Sequence, residues 1–257
     1  MINIVYCRKN QKFLLLRSNN KYTTIINNIF EKNLIAKDIF EKIDLFPIKI
    51  INNNSFNLII INSDKINYSE YLWCNIDEFI KKLDLADNFK KELNKEIENL
   101  NITPENIDLT YLPYGKVVEV YVLNEKKEFV IVFSALKGKF CKILSGHVEK
   151  DESFKDAAIR EVKEELNLDI DIIGISKYSF KYDTPKESIF NNFFKSRGGK
   201  GKSIIARLRY NNQEIKIQEE EISSYKWIKK EDIEKYLIKE DQIDHCRKIF
   251  EEFKDLF

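Results

Sequence analysis

The chain has 257 residues, of which 43% are apolar, and it carries 43 Lys and Arg residues against 42 Asp and Glu residues. This length and composition suffice for one large core or two ordinary ones. A formal net charge of +1 excludes the general basic excess that a dedicated binder of duplex nucleic acid uses. The sequence has no run of 18 apolar residues and no secretory leader pattern, so we expect a soluble, cytoplasmic protein without a membrane partner.

The cysteines and histidines exclude further classes of protein. Cys7, Cys74, Cys141 and Cys246 stand far apart and form no CxxC pair. This spacing indicates neither a disulfide scaffold nor a zinc ribbon. The sequence has only two histidines and lacks the HExxH motif, which excludes that type of metalloprotease.

Glycine is distributed unevenly along the chain. All seven glycines lie at or after Gly115. Because glycine permits tight turns and close approach of a ligand to the backbone, we expect the first half to be a scaffold and the second half to carry the chemistry. Two of the four prolines fall in residues 101–115, which show no sustained periodicity and predict a linker. The predicted domains are residues 1–105 and 112–257.

The two halves share a faint internal repeat. Residues 4–16 and 118–132 both read as a strand, a polar turn and a second strand. Trp73 and Trp227 each close a predicted strand and precede an amphipathic helix. The pattern favours duplication of one module. The alternative is coincidence, since unrelated segments that form a strand and then a helix also have similar sequence patterns.

The apolar periodicity of the second half predicts alternating strands and helices. The strands are expected at about 117–123, 128–133, 169–181, 203–210 and 224–228, and the helices near 153–166 and 230–257. This order does not fit simple repeated βαβ units. It predicts a mixed sheet that is covered on both faces.

The helix at 153–166 is the best specified of these elements. Ser153 is a suitable N-cap, and an apolar stripe at i+4 steps runs from Phe154 to Leu166. Asn167 follows the stripe and is one of the few residues besides glycine that tolerate the left-handed conformation at a helix end.

Three glutamates, Glu161, Glu164 and Glu165, stand at positions i, i+3 and i+4 of this helix. Two unit charges about 5–6 Å apart repel by roughly 3 kcal/mol at an effective dielectric constant of about 20. A divalent cation reverses this penalty, and clustered carboxylates suit a hard ion such as Mg²⁺. In a chain with 33% charged residues, such a face is also typical of a helix side exposed to solvent.

The segment around this helix resembles the signature of the Nudix hydrolase family, which is Gly, five residues, Glu, seven residues, then Arg-Glu-aliphatic-x-Glu-Glu-x-Gly-aliphatic. The residues in register are Gly146, Glu152, Arg160, Glu161, Val162, Glu164, Glu165 and Leu168. Asn167 replaces the late glycine, and Asp151 stands where a glycine commonly precedes the Glu. The resemblance covers about residues 115–240 and implies an α/β (α+β) fold, a Nudix-type α/β/α sandwich with a mixed sheet.

By the same resemblance, the first half looks like a degenerate copy, so that the chain would contain two tandem modules. Residues 36–43 align with residues 159–166, and Lys42 takes the place of the last glutamate. An ammonium group opposes a dication, so we expect no metal site in residues 1–105. An ordinary amphipathic helix without common ancestry is the alternative.

The resemblance implies a metal site in the second half. Glu161, Glu164 and Glu165 are expected to bind Mg²⁺ or Mn²⁺, with a backbone carbonyl at or next to Gly146 as a further ligand. Glu161 and Glu164 thereby become catalytic candidates. Glu221 is a third candidate, since either Glu161 or Glu221 would take the proton of the attacking water.

The remaining motif residues are expected to support this site. Glu152 and Arg160 would form an ion pair that holds the motif loop against the helix. Residues 183–202 form a long insertion with a basic, glycine-rich end that suits phosphate groups. Its candidate substrate-binding residues are Arg197, Lys200, Lys202 and Phe194. A flexible, solvated loop is the alternative.

The resemblance implies a metal-dependent pyrophosphohydrolase that cleaves a phosphoanhydride bond in a nucleoside diphosphate linked to a nucleotide, sugar, cofactor or RNA cap. The expected partner is a small nucleotide, an RNA end also stays open, and the protein is expected to be a monomer or a homodimer. One alternative is a non-catalytic nucleotide sensor on the same fold. Another is an isomerase of isopentenyl diphosphate, for which Cys141 would be the catalytic cysteine.

Overall fold

A computed structural model describes residues 2–18, 21–23, 47–52, 54–61, 71–110, 112–135, 140–192 and 196–257. Their contacts divide the chain into two compact units. Unit 1 comprises Met1–Pro113 and Thr184–Arg197, and unit 2 comprises Tyr114–Asp183 and Gly198–Phe257. The observed division differs from the predicted one mainly at residues 184–197, which we had expected in the second domain.

Within the described residues, unit 1 contains a six-stranded mixed sheet and four helical segments, one of which lies in residues 184–197. Its strands are β1 (Ile2–Cys7), β2 (Lys12–Ser18), β3 (Lys21–Thr23), β4 (Pro47–Asn52), β5 (Phe56–Ile61) and β6 (Tyr71–Cys74). Helices α1 (Ile76–Lys82) and α2 (Asp87–Glu98) and a 3-10 turn (Pro104–Asn106) follow. The strand order is β3-β2-β1-β5-β4, and β6 also pairs with β2.

Unit 2 contains a second six-stranded mixed sheet. Its strands are β7 (Gly115–Leu123), β8 (Phe129–Ser134), β9 (Cys141–His147), β10 (Ile170–Asp183), β11 (Gly198–Leu208) and β12 (Ile222–Ile228), in the order β10-β11-β7-β9-β8-β12. Helix α3 (Phe154–Leu166) connects β9 to β10, and α4 (Lys186–Asn192) lies in the insertion between β10 and β11. A 3-10 helix (Lys230–Lys235) and α5 (Glu240–Glu252) end the chain.

Helices cover both faces of the second sheet. Along β7, Val118 and Val120 pack beneath α3, whereas Tyr121 and Leu123 pack against α5. This alternation is what a strand buried on both faces requires, because successive side chains point to opposite faces. The predicted α/β/α sandwich with a mixed sheet is confirmed. No helix among the described residues is long and apolar enough to cross a membrane.

The two sheets share part of their strand arrangement and differ in the third strand, which lies at an edge of the first sheet but between the first and second strands of the second sheet. In each, the first strand is parallel to the fifth and antiparallel to the second, the fourth strand is antiparallel to the fifth, and the sixth is antiparallel to the second. Trp73 lies opposite Leu14, as Trp227 lies opposite Val130. The repeat found in the sequence therefore falls on equivalent positions of two similar sheets. Residues 36–43, the predicted remnant of the motif helix, lie outside the described residues.

Two strands differ from the predictions because their sequences are atypical of strands. Strand β9 was not predicted, since it contains Lys142, Ser145 and Gly146. Strand β11 begins at Gly198, whereas the sequence predicted a start near residue 203. The prediction began too late because the first residues of the strand include three glycines, which are uncommon inside strands. A side chain at Gly201 would overlap the backbone carbonyl of Val117, so this strand needs a glycine there.

The described part of the insertion packs into unit 1. Phe190 of α4 belongs to the core of unit 1, and the Arg8 guanidinium lies 3.6 Å from the centroid of its ring. Lys186 donates to the backbone carbonyls of Ile107 at 2.9 Å and Glu105 at 3.3 Å. Residues 184–192 are therefore a structural part of the first unit and not a solvated loop.

We predict that Phe190→Ala destabilises unit 1 by about 3–5 kcal/mol, the usual effect of deleting a buried phenylalanine. The measurement is the rate of thiol labelling at Cys74, which is buried in unit 1, against Cys246, which is buried in unit 2. Labelling of Cys74 should accelerate. Ile238→Ala is the control, since this side chain is 92% exposed. Unchanged labelling of Cys74 in Phe190→Ala would contradict the assignment of α4 to the core of unit 1.

Candidate active site

Helix α3 begins and ends as the sequence predicts. Ser153 is its N-cap, and the Ser153 hydroxyl accepts a hydrogen bond from the Asp156 amide at 3.2 Å. Asn167 ends the helix in the left-handed conformation, with φ 56° and ψ 30°. Asp151, in the loop before the helix, is also left-handed, with φ 65°. Both departures from the family's glycines thus fall on positions that need positive φ, and Asn and Asp are the residues that best tolerate it.

The Arg160 side chain ties the motif loop to the helix. Its guanidinium donates to both carboxylate oxygens of Glu152, at 2.9 and 3.0 Å, and to the backbone carbonyl of His147 at 2.7 Å. Glu152 also accepts from the Glu149 amide at 2.8 Å. These bonds lower the pKa of Glu152, chiefly through the hydrogen bond from Arg160. The ion pair expected between Glu152 and Arg160 is present.

The same guanidinium contacts two of the three helix glutamates. It donates to Glu161 at 2.8 Å and to Glu164 at 3.0 Å. The three carboxylates differ in burial: the Glu165 side chain is 2% exposed, Glu161 12% and Glu164 53%. The Arg160 charge beside Glu161 and Glu164 opposes the repulsion between these two carboxylates. In the described part of the chain, no three His, Cys, Asp or Glu side chains are arranged to hold a metal ion.

Glu165 is the most unusual carboxyl group of the site. Both of its oxygens are buried, and neither has a hydrogen-bond partner among the described residues. Burial raises its pKa to about 7, the Lys142 charge opposes this shift, and the charges of Glu161 and Glu221 add to it. The Lys142 ammonium lies 3.6 Å from one oxygen. Because a buried acceptor without a donor is costly, this group suits a cation ligand.

Gly146 on β9 faces the Glu161 carboxyl group. A Cβ at Gly146 would overlap this carboxyl group, so only glycine leaves the carboxylate its place beside the strand. Burial raises the pKa of Glu161, and hydrogen bonds from Arg160 oppose the shift. The motif glycine is thus explained by a close approach of side chain to backbone.

The segment before β12 brings Glu221 to the site. The amides of Gln218 and Lys216 donate to the carbonyls of Glu165 and Leu166, at 3.0 and 3.1 Å, and so attach this segment to the end of α3. The Glu221 charge raises the pKa of both Glu161 and Glu165, which indicates that its carboxylate lies near theirs. A groove of about 470 Å³ runs along the exposed side of α3. It is lined by Glu152, Asp156, Ile159, Arg160, Lys163 and Glu164.

The candidate substrate-binding residues of the insertion do not form one loop. Arg197 belongs to unit 1, whereas Lys200 and Lys202 are part of β11 in unit 2. The Lys202 ammonium donates to backbone carbonyls of β10, at 2.9 and 3.3 Å. Lys200 is exposed. Phe194 lies outside the described residues.

The sequence analysis missed two features near the motif. The sequence did not indicate that Lys142 lies beside Glu165, because strand β9, which carries Lys142, was not predicted. Ser203, Glu119 and His245 form a polar cluster between the sheet and α5, with Ser203 Oγ 3.0 Å from Glu119 Oε2 and 2.8 Å from His245 Nε2. Glu119 approaches the same imidazole nitrogen at 3.4 Å and Ser203 is fully buried, so this is not the relay of a serine nucleophile.

Cys141, the candidate of the isomerase alternative, begins β9 and is half-buried. Burial raises the pKa of its thiol to about 11. A reactive cysteine usually has a lowered pKa next to positive charge. The surroundings of Cys141 do not activate it as a thiolate.

Comparisons with known proteins give one family and several similar structures. The model of the NUDIX domain family matches residues 113–249, which is more than half of the chain. A C. elegans Ap4A hydrolase in a binary complex is 21% identical, with a TM-score of 0.42, over 55% of this chain and 99% of that chain. The MutT protein from Methanosarcina mazei Go1 is also 21% identical, with a TM-score of 0.43, over 56% and 96%. A Nudix family hydrolase from Clostridium perfringens is 18% identical, with a TM-score of 0.42, over 55% and 98%.

At these identities and TM-scores, nothing further about this chain follows from the solved structures. A comparison with curated proteins gives no match. The sandwich and the motif residues on α3 define a hydrolase that acts on phosphorus-containing anhydrides. The chain belongs to the Nudix family, as the match over residues 113–249 shows.

We predict that Asn167→Ala destabilises unit 2 by about 1 kcal/mol, because alanine is strained in the left-handed conformation. Asn167→Gly should stay within about 0.5 kcal/mol of the wild type, since glycine adopts this conformation freely. Thermal and urea unfolding of the three proteins measure the difference. Equal stability of the alanine and glycine variants would contradict the left-handed helix end.

We further predict that Gly146→Ala displaces the Glu161 carboxylate and weakens Mn²⁺ binding at least about tenfold, while the protein stays folded. The measurement is Mn²⁺ titration followed by electron paramagnetic resonance, with circular dichroism as the test of folding. Gly115→Ala is the matched control, because its added Cβ would meet neighbours only at ordinary contact distances of 3.5 Å and more. Wild-type Mn²⁺ affinity in Gly146→Ala would refute the close approach.

Proposed function

We propose that the chain hydrolyses a phosphoanhydride bond in a nucleoside diphosphate derivative and that Mg²⁺ or Mn²⁺ is its cofactor. The observation that carries this proposal is the buried Glu165 carboxyl group, whose two oxygens have no hydrogen-bond partner among the described residues. Carboxylate oxygens and a backbone carbonyl are the donors that a hard cation prefers. The residues that would hold the ion are Glu161, Glu164 and Glu165, with the carbonyl of Gly146.

When bound, the ion supplies charge neutralisation at the pyrophosphate oxygens and lowers the pKa of a water molecule. The chain's own contribution is the fixed position of the carboxylates. Arg160 holds the loop of residues 147–152 against α3 through Glu152 and the His147 carbonyl. The groove along α3 provides an open approach beside Glu164.

We assign the acceptance of the water proton to Glu221. Its carboxylate is exposed and has no hydrogen bond or ion pair within the described residues, yet its charge acts on Glu161 and Glu165. Glu161, the other candidate, already accepts a hydrogen bond from Arg160 and faces Gly146. A general base needs an available lone pair within reach of the water, which favours Glu221.

The substrate class is that of small nucleotides, and a capped RNA end is an extension of it. We place the enzyme in the cytoplasm, because the spacing of its cysteines lacks the pattern of disulfide-bonded secreted proteins. It would work as a monomer or a homodimer.

We predict that Glu164→Gln and Glu165→Gln each lower kcat/KM at least about 100-fold, because loss of a metal ligand costs more than loss of a supporting group. The assay is phosphate release from a nucleotide panel with Mg²⁺ or Mn²⁺. Both variants should fold normally, since they remove a charge and no side-chain volume.

Glu231→Gln is the control, since Glu231 is exposed and lies outside the site. Activity of either site variant within about threefold of the wild type would refute the ligand assignment. A wild type that hydrolyses no member of the panel would refute the proposed reaction.

A further inference from the structure

Three lysines occupy directly paired positions on three neighbouring strands of unit 2. Lys181 on β10 pairs with Lys200 on β11, and Lys200 pairs with Lys116 on β7. All three residues are exposed. Because neighbouring strands lie about 4.8 Å apart, this lysine row spans about 10 Å across the sheet.

The lysine row lies on the same face of the sheet as the motif carboxylates. Side chains two residues apart share a face, and Val118, two residues after Lys116, packs beneath α3. Val118 is also the register partner of Gly146, the residue that faces Glu161. Lys116 thus stands about 7 Å along β7 from the position beside the candidate metal site. The row extends from there across β11 to β10.

The charges of the lysine row are not neutralised within unit 2. Like charges directly opposite one another destabilise a sheet. No ion pair within the described residues engages any of the three ammonium groups; that of Lys181 lies 4.3 Å from the centroid of the Tyr114 ring. The nearby Asp183 carboxylate accepts instead from the Tyr114 hydroxyl. Three adjacent cations without a carboxylate partner in the described part of the chain suit an extended anion.

We propose that the lysine row binds the non-reacting phosphates of the substrate, so that the enzyme prefers substrates with a linear chain of three or more phosphoryl groups. The proposal rests on the proposed function, because the candidate metal site fixes where the reacting phosphates lie. A lysine ammonium binds phosphate as a point charge, and a row of such charges matches a linear polyanion. A diphosphate held at the carboxylates would leave most of the row unused.

The first test is binding without turnover. Inorganic tripolyphosphate is titrated by calorimetry, in metal-free buffer, into the full chain and into the triple variant Lys116→Gln, Lys181→Gln, Lys200→Gln. We expect the Kd to rise at least about tenfold in the triple variant, since each lost charged contact removes binding free energy. Lys126→Gln, in the turn at the other end of β7, is the matched control and should bind as the wild type does. Equal affinity of the triple variant and the wild type would overturn the proposal.

The second test is the dependence of KM on chain length. For ATP and diadenosine tetraphosphate, the triple variant should show a KM about tenfold higher with kcat within about twofold, whereas the KM for ADP-ribose should rise by less than about threefold. An equal rise for ADP-ribose would overturn the preference for chain length. If the wild type hydrolyses none of these compounds but the triple variant loses tripolyphosphate binding, the proposed function and the substrate preference fail, and the lysine row stands only as a site for polyphosphate.

Discussion

The arrangement of the site depends on one guanidinium group. Arg160 donates to Glu152 and the His147 carbonyl before the helix, and to Glu161 and Glu164 on the helix. It thereby joins the motif loop to α3. A planar guanidinium with five donors can satisfy so many acceptors in fixed geometry, which lysine cannot. Without it, the helix carboxylates would repel one another and the loop would have no fixed distance from the helix. The arginine of the signature thus has a structural explanation in this chain.

A second constraint is the space available between β9 and α3. Gly146 lets the Glu161 carboxylate approach the strand backbone, and the apolar stripe of α3 buries the other side of the same helix. Glu165 lies on that inward side, which explains both its burial and its raised pKa. The three glutamates look equivalent in sequence, but their distance from the core makes them a buried, a half-buried and an exposed carboxylate.

The local features of this site could be predicted from the sequence, and the features that depend on strand pairing could not. The cap at Ser153 and the left-handed end at Asn167 follow from short-range patterns, and the pair of Glu152 with Arg160 follows from the resemblance to the family motif. The lysine row depends on the register of β10, β11 and β7, whose residues are far apart along the chain. Strand β9 was missed because a lysine, a serine and a glycine interrupt its apolar pattern. Only the neighbouring strands and α3 explain why those residues can form a strand.

We propose that the first unit is a degenerate copy of the second, since the two sheets share part of their strand arrangement. In unit 2, the Glu161 carboxyl group occupies the space of a side chain at Gly146, and residues 1–114 contain no glycine. A copy of the module that had lost this residue would keep its sheet and lose its metal site. Unit 1 also contains α4, whose Phe190 lies in its core. Since α4 is inserted between β10 and β11, which carry Lys181 and Lys200, the chain passes from the second unit to the first and back between these two strands.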